Sequence, residues 1–159
     1  MFNTMPRIEC SRAIHLIDAE NLCGSSLLSV QAMSKLRDDY LGSVPVGPFD
    51  QIVLASSHAS VLSLAIAWPR NRYVMRSGSD GADICLARIV VEENLESRFD
   101  NVYMGSGDGG LAPFSAHLES RGIRVTAVSR IHSLSAKMRI ATSDVIYLDR
   151  PGIAVVRAA

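Results

Sequence analysis

The sequence predicts an α/β protein: a three-layer sandwich on a mostly parallel sheet of five or six strands, with helices on both faces. Two observations carry this expectation. Short apolar runs alternate with longer amphipathic segments from one end of the chain to the other, the pattern of repeated βαβ units. A glycine-dense turn, GSGDGG, comes straight after an apolar run and straight before a helix-like segment, the strand-to-helix passage at which such proteins hold ligands.

The elements follow in order. Residues 13–17 (AIHLI) read as a buried strand, and residues 25–40 as a helix entered through a serine cap. Residues 49–55 (FDQIVLA) form a second strand, and 60–68 a helix stopped by Pro69. Residues 72–75 (RYVM) are a short third strand, 77–80 (SGSD) a loop, and 81–95 (GADICLARIVVEENL) a helix. Residues 101–104 make a fourth strand, 111–121 a helix ended by Gly122, and 123–128 (IRVTAV) a fifth strand. A weaker helix at 133–140 precedes a last strand at 144–148 (DVIYL), before Pro151. No internal repeat or linker interrupts the series, so residues 1–159 read as a single domain.

Composition narrows the function classes. The chain is 48% hydrophobic and 20% charged, ordinary for a soluble globular domain. No segment approaches the length of a membrane span, so a cytoplasmic protein without membrane contact is expected. Formal net charge is zero, which argues against coating nucleic acid by bulk charge but leaves a local basic groove open. Arginines dominate the basic residues and bunch after strand candidates, at Arg70, Arg72 and Arg76 and again at Arg130 with Lys137 and Arg139. Their forks suit phosphate oxygens, and ordinary surface salt bridges are the plainer alternative. Cys10, Cys23 and Cys85 lie far apart without a CxxC pair, so neither a disulfide framework nor a zinc site is expected; Cys23 as a reactive thiol is the lesser reading. His15, His58, His117 and His132 show no paired metal-ligand spacing, and His15, on a buried strand, reads as a satisfied core residue. The sequence leaves both a monomer and a homo-oligomer open.

The acids fall in a pattern. Asp18 stands just past the first strand and Asp108 just past the fourth, where ligands bind in an open parallel sheet. If those strands are neighbours, about 4.8 Å separates their axes and the carboxylates converge. Asp83 lies in the first turn of the helix that feeds the fourth strand. Each acid has a local explanation. Asp108 can cap a helix at Gly109, Asp83 can complement a helix dipole, and Asp18 can close an Asx-turn with Asn21. Together they make a cation site, because three clustered anions repel unless neutralised. Oxygen-only ligands select Mg²⁺ or Mn²⁺ over zinc. The rival reading takes GSGDGG as the GxGxxG of a dinucleotide-binding protein, with Arg130 meeting a 2′-phosphate. That leaves Asp18 and Asp83 unexplained and puts an acid in the phosphate loop.

These residues resemble the NYN branch of the PIN-like nuclease superfamily. LIDAENL is similar to its first-strand motif (Asp18, Asn21), DGADICLARI to its glycine-x-aspartate helix start (Gly81, Asp83), and MGSGDGGLAPF to its strand-turn motif (Ser106, Gly107, Asp108). The motifs occur in family order across residues 13–129. The resemblance implies a PIN-like fold with sheet order 3-2-1-4-5 and metal-dependent cleavage of RNA, leaving 5′-phosphate and 3′-hydroxyl ends. It implies Asp18, Asp83 and Asp108 as metal-holding catalytic residues and Asn21 and Ser106 as residues that orient ligands and water; Arg76 and Arg130 are our candidates for contacts to the RNA backbone. Two departures stand out. Where the family commonly carries a further acid this chain has Gly110, and where a basic residue is common it has Asp80. Asp80 reads as a solvated loop anion or as a partial replacement for the missing ligand. A metal-dependent endoribonuclease is therefore the expected function, and an RNA-binding module that has lost turnover is the alternative.

Overall fold

Among the described residues seven strands form one sheet in the order β3-β2-β1-β4-β5-β6-β7. The computed structural model describes residues 11–25 and 28–149, together with the backbone of 156–157. β1 (Ala13–Asp18), β2 (Gln51–Ser56), β3 (Arg72–Met75), β4 (Asn101–Gly105), β5 (Arg124–Ser129) and β6 (Asp144–Tyr147) are all parallel. The two-residue β7 (Val156–Arg157) pairs antiparallel with β6.

The chain winds outward from β1 to β3, then returns to add β4, β5 and β6 on the other side. α1 (Ala19–Cys23), α2 (Val30–Ser43) and α3 (Val61–Ala67) belong to the first winding; α4 (Gly81–Glu92), α5 (Ala112–Ser120) and α6 (Ala136–Ala141) belong to the second. Crossovers of one hand place the two sets on opposite faces once the direction reverses. Alternation along the strands feeds both layers. Ile14 and Leu16 of β1, with Val102 and Met104 of β4, pack against Leu86, Ile89, Leu118 and Met138. Ile17 and Leu54 face the other way, onto Leu22, Met33, Leu36, Leu64 and Trp68. Burying each such side chain contributes about 1.5–3 kcal/mol.

His15 belongs to the second face. Its Nδ1 lies 2.9 Å from the Tyr40 hydroxyl, its Nε2 3.2 Å from Asp50, and its ring stacks on Tyr103 at 4.6 Å. Burial lowers its pKa against the opposing pull of Asp50, so the imidazole is a neutral, satisfied core group, as its place on a buried strand suggests. Among the described residues no helix is long and apolar enough to cross a membrane.

Three elements differ from the sequence expectation. The serine cap of α2 is Ser29, whose Oγ accepts from the Ala32 N–H at 3.1 Å, not Ser25. The intervening chain holds α1, a single turn that starts directly from β1 and stops at Gly24, whose φ of 73° is left-handed. The helix expected at 81–95 ends at Glu92, and a separate 3-10 turn, Leu95–Ser97, follows Asn94 at φ 49°. β7 was not expected: two residues carry no periodicity, and an edge partner is chosen by β6 alone. Cys10 and Pro151 lie outside the described residues. Cys23 is half-buried, and burial pushes its thiol pKa up despite the nearby Arg130, which disfavours a reactive thiolate.

Candidate metal centre

The winding reverses between β1 and β4, where Ile17 is paired with Gly105. Asp18 and Ser106, one residue further on, therefore leave the sheet side by side. Asp18 caps α1, its Oδ1 accepting from the Asn21 N–H at 3.1 Å. That turn aims Asn21 at the β4 loop, where its Oδ1 accepts from the Gly107 N–H at 3.0 Å. Ser106 is fully buried, and its Oγ accepts from the Asp108 N–H at 3.2 Å. Asp108 in turn caps the short 3-10 turn Gly109–Leu111, its Oδ1 accepting from the Gly110 N–H at 2.8 Å. Position 107 must be glycine, because a Cβ there would stand 2.0 Å from the Ser133 carbonyl oxygen.

The third wall is the start of α4. A Cβ on Gly81 would lie 2.2 Å from the Arg76 carbonyl oxygen, so only glycine lets the chain fold back here. Asp80 precedes it in the left-handed region at φ 57°, a conformation aspartate tolerates better than most residues. The result carries Asp83, on the first turn of α4, towards Asp108.

Carboxylate oxygens of Asp80, Asp83 and Asp108 all lie within 4.8 Å of one another. Asp18 lines the same cavity, of about 210 Å³, together with Glu20, Asn21 and Arg76. The tight group thus has Asp80 as its third member, with Asp18 flanking it. Burial raises the Asp18 pKa from 3.8 to about 6, with the negative charges of Glu20 and Asp108 adding to it and the Asn21 N–H opposing it. Burial also lifts Asp83, to about 7, reinforced by Asp108, Asp18 and Asp80. Its Oδ1 is sealed from solvent and has no hydrogen-bond partner among the described residues. An orphaned carboxylate oxygen beside two other carboxylates is relieved by a shared proton or by a cation. A hard divalent ion that takes oxygen ligands fits this donor set.

The local explanations hold for two of the acids. Asp18 and Asp108 each commit Oδ1 to a local cap, and the same caps fix the carboxylates beside the cavity. The phosphate-cradle reading of GSGDGG does not survive the hydrogen bonding. The N–H groups of Gly107, Asp108 and Gly110 are taken by Asn21, Ser106 and Asp108 side chains, leaving none of the three to a phosphate.

The arginines separate. Arg76 is exposed, lines the acidic cavity, and makes no ion pair among the described residues. Arg130 is held elsewhere, donating Nε to the Leu22 carbonyl at 3.1 Å and pairing with Asp39 at 3.1 Å. Arg72 is bound to Glu93. Glu20 was not singled out from sequence; its Oε1 accepts from the Ser57 N–H at 2.9 Å, bridging α1 to the end of β2. Only its position two residues after Asp18 on a one-turn helix hints at this.

The fold and site define a three-layer α/β protein with an acidic cluster at the topological switch point of its sheet. No family model and no curated protein matches the chain. Among solved structures, it is similar to a protein of unknown function from Vibrio parahaemolyticus, with a TM-score of 0.66 at 11% identity, covering 92% of this chain and 98% of that one. That likeness extends to the fold.

Proposed function

We propose that this protein is a metal-dependent endoribonuclease acting in the cytoplasm on RNA phosphodiester bonds. The observation that carries the reading is the convergence of Asp83 and Asp108 with Asp80, flanked by Asp18, at the carboxyl end of β1 and β4. The ordered resemblance of the surrounding motifs to the NYN branch supports it. Asp83, Asp108 and Asp80 would hold Mg²⁺ or Mn²⁺, with Asp18 contributing directly or through water. Bound there, the ion would supply an activated water and neutralise charge on the phosphate and the leaving 3′-oxygen. The chain's own residues set the stage. Asn21 and Ser106 fix the backbone of the Asp108 turn, so that its carboxylate need not reorganise when a ligand arrives. Arg76, without an ion pair among the described residues, stands at the rim where it can meet a phosphate oxygen.

A second reading, an RNA-binding module without turnover, is favoured by one feature. A side chain at position 110 would face both Asp108 Oδ1 and Asp83 Oδ2, each 3.3 Å from an added Cβ, yet the residue is glycine. One experiment separates the two: titrate Mn²⁺ against the melting temperature and incubate a labelled RNA with and without the ion. Metal-dependent stabilisation with cleavage, both abolished in Asp108→Asn, supports the nuclease. RNA binding without cleavage selects the module.

A further inference from the structure

Asp80 is the acid that its own surroundings hold least. Asp18 and Asp108 are fixed by the caps they make, whereas the Asp80 carboxylate takes a hydrogen bond, among the described residues, only from the neighbouring Ser79 hydroxyl at 3.4 Å. Its backbone is left-handed at φ 57°, a conformation that persists only when the surrounding structure holds it. Its loop, residues 76–80, leaves β3, the end strand of the sheet, and so has neighbours on one side only. Support comes from the adjacent loop, after β2. The Ser77 Oγ accepts from the His58 backbone N–H at 3.3 Å and lies 2.8 Å from the His58 Nδ1. Two bonds thus converge on one hydroxyl, three residues before Asp80. Both side chains are exposed, so the pair is not part of the core. His58 is itself anchored: the preceding N–H, of Ser57, donates to Glu20 Oε1 at 2.9 Å, and Glu20 stands on α1 beside Asn21, which holds the Asp108 turn. From the β4 turn through α1 and the β2 loop to the β3 loop, these bonds cross neighbouring strand ends in spatial order. The series closes on itself, because Asp108 at one end and Asp80 at the other bring carboxylate oxygens within 4.8 Å of each other.

We propose that His58 is a positioning residue of the metal centre: through Ser77 it sets the loop that delivers the Asp80 carboxylate to Asp83 and Asp108. This rests on the metal-dependent reading above and adds to it a residue outside the cavity on which one of the ligands depends. The physical reason is electrostatic. Asp80 is exposed and stands against two other carboxylates, so without a cation repulsion pushes its loop outward. A tether at Ser77 opposes that movement and keeps the third oxygen donor within reach of an incoming ion, which then has less to reorganise. The effect is confined to the far half of the loop. Arg76, at its near end, is held independently by the bond from its N–H to the Ser56 carbonyl at 3.1 Å.

Calorimetric titration of the full chain with Mn²⁺ tests this in His58→Ala, Ser77→Ala, Asp80→Asn and the His58→Ala, Asp80→Asn double variant, each also melted without metal. His58→Ala and Ser77→Ala should each weaken Mn²⁺ binding about two- to tenfold, the range carried by one hydrogen bond, without lowering the metal-free melting temperature. In the Asp80→Asn background His58→Ala should have no further effect, because both act through one ligand. His58→Asn, whose amide can set a polar atom near the place of Nδ1, should restore most of the affinity. Wild-type Mn²⁺ affinity in both His58→Ala and Ser77→Ala, whether or not they melt lower, would reduce the pair to a plain loop closure and overturn the inference while leaving the metal centre standing. Equal weakening by His58→Ala with and without the Asp80 carboxylate would also overturn it, by showing a route that bypasses Asp80. If the wild type itself takes up no Mn²⁺, the metal-dependent reading fails and the positioning role falls with it.

Discussion

The side-chain oxygen of Asn21, on the one-turn helix after β1, accepts a hydrogen bond from the backbone N–H of Gly107, in the turn after β4, at 3.0 Å. Two loops that are 86 residues apart in sequence are thereby locked together. Asn21→Ala leaves a buried N–H without its acceptor, at a cost of about 1–3 kcal/mol. The expected result is a lower melting temperature together with faster hydrogen exchange at Gly107. Unchanged exchange there would mean that water or another group satisfies the N–H and that Asn21 is not the clasp.

The raised carboxyls make a pH prediction whose sign follows from proton linkage. Asp18 and Asp83 hold protons more tightly in the folded protein, at about 6 and about 7, than at their ordinary 3.8. Their contribution to metal-free stability is complete below about 3.8 and is lost as pH rises through 6 and 7. Thermal melts of metal-free protein should show this decline between pH 4 and 8 relative to Asp83→Asn, which removes the larger shift. Mn²⁺ must displace the same protons, so its stabilisation should grow over the same interval. A metal effect that is flat from pH 5 to 8 would place the ion elsewhere.

Position 110 offers a gain-of-binding test. An added Cβ would lie 3.3 Å from both Asp108 and Asp83 oxygens, close enough that those side chains must yield slightly. Gly110→Asp should lower the metal-free melting temperature through repulsion, and tighten Mn²⁺ binding by supplying a further oxygen ligand. Gly110→Ala should do neither beyond a small packing cost. Calorimetric titration of the two variants decides it: equal Mn²⁺ affinity in folded Asp and Ala forms would show that the acids do not gather round an ion.

Arg76 and Arg130 should behave differently, although both follow strands and look alike in the sequence. If Arg76 contacts one RNA phosphate, Arg76→Ala should reduce the slope of log K against log[salt] by about one unit with little effect on folding. Arg130→Ala removes the pair with Asp39 and the bond to the Leu22 carbonyl, so it should shift the urea midpoint and leave the salt slope alone. Reversed effects would move the nucleic-acid path to the opposite face of the sheet.

Much of this arrangement was written into the chain. Alternating apolar residues dictate the strands and which side of each is buried, and Gly81, Gly107 and the capping aspartates are local devices whose spacing is fixed by backbone geometry. Asp18, Asp83 and Asp108 were legible as strand-end and helix-start acids for that reason. Tertiary structure decided what local rules cannot encode. Asp80 reads from the sequence as a solvated loop anion or as a partial replacement ligand, and only the fold-back at Gly81, beneath the Arg76 carbonyl, brings its carboxylate to the others. Arg130 and Arg76 have the same chemistry and similar settings; a partner from α2, Asp39, claims the first, whereas Arg76 has no ion pair among the described residues and lines the acidic cavity. Periodicity places a residue on a face of its own element, but which charges meet across elements is fixed by how those elements dock. The burial that raises the Asp18 and Asp83 pKa values exists only once they have docked.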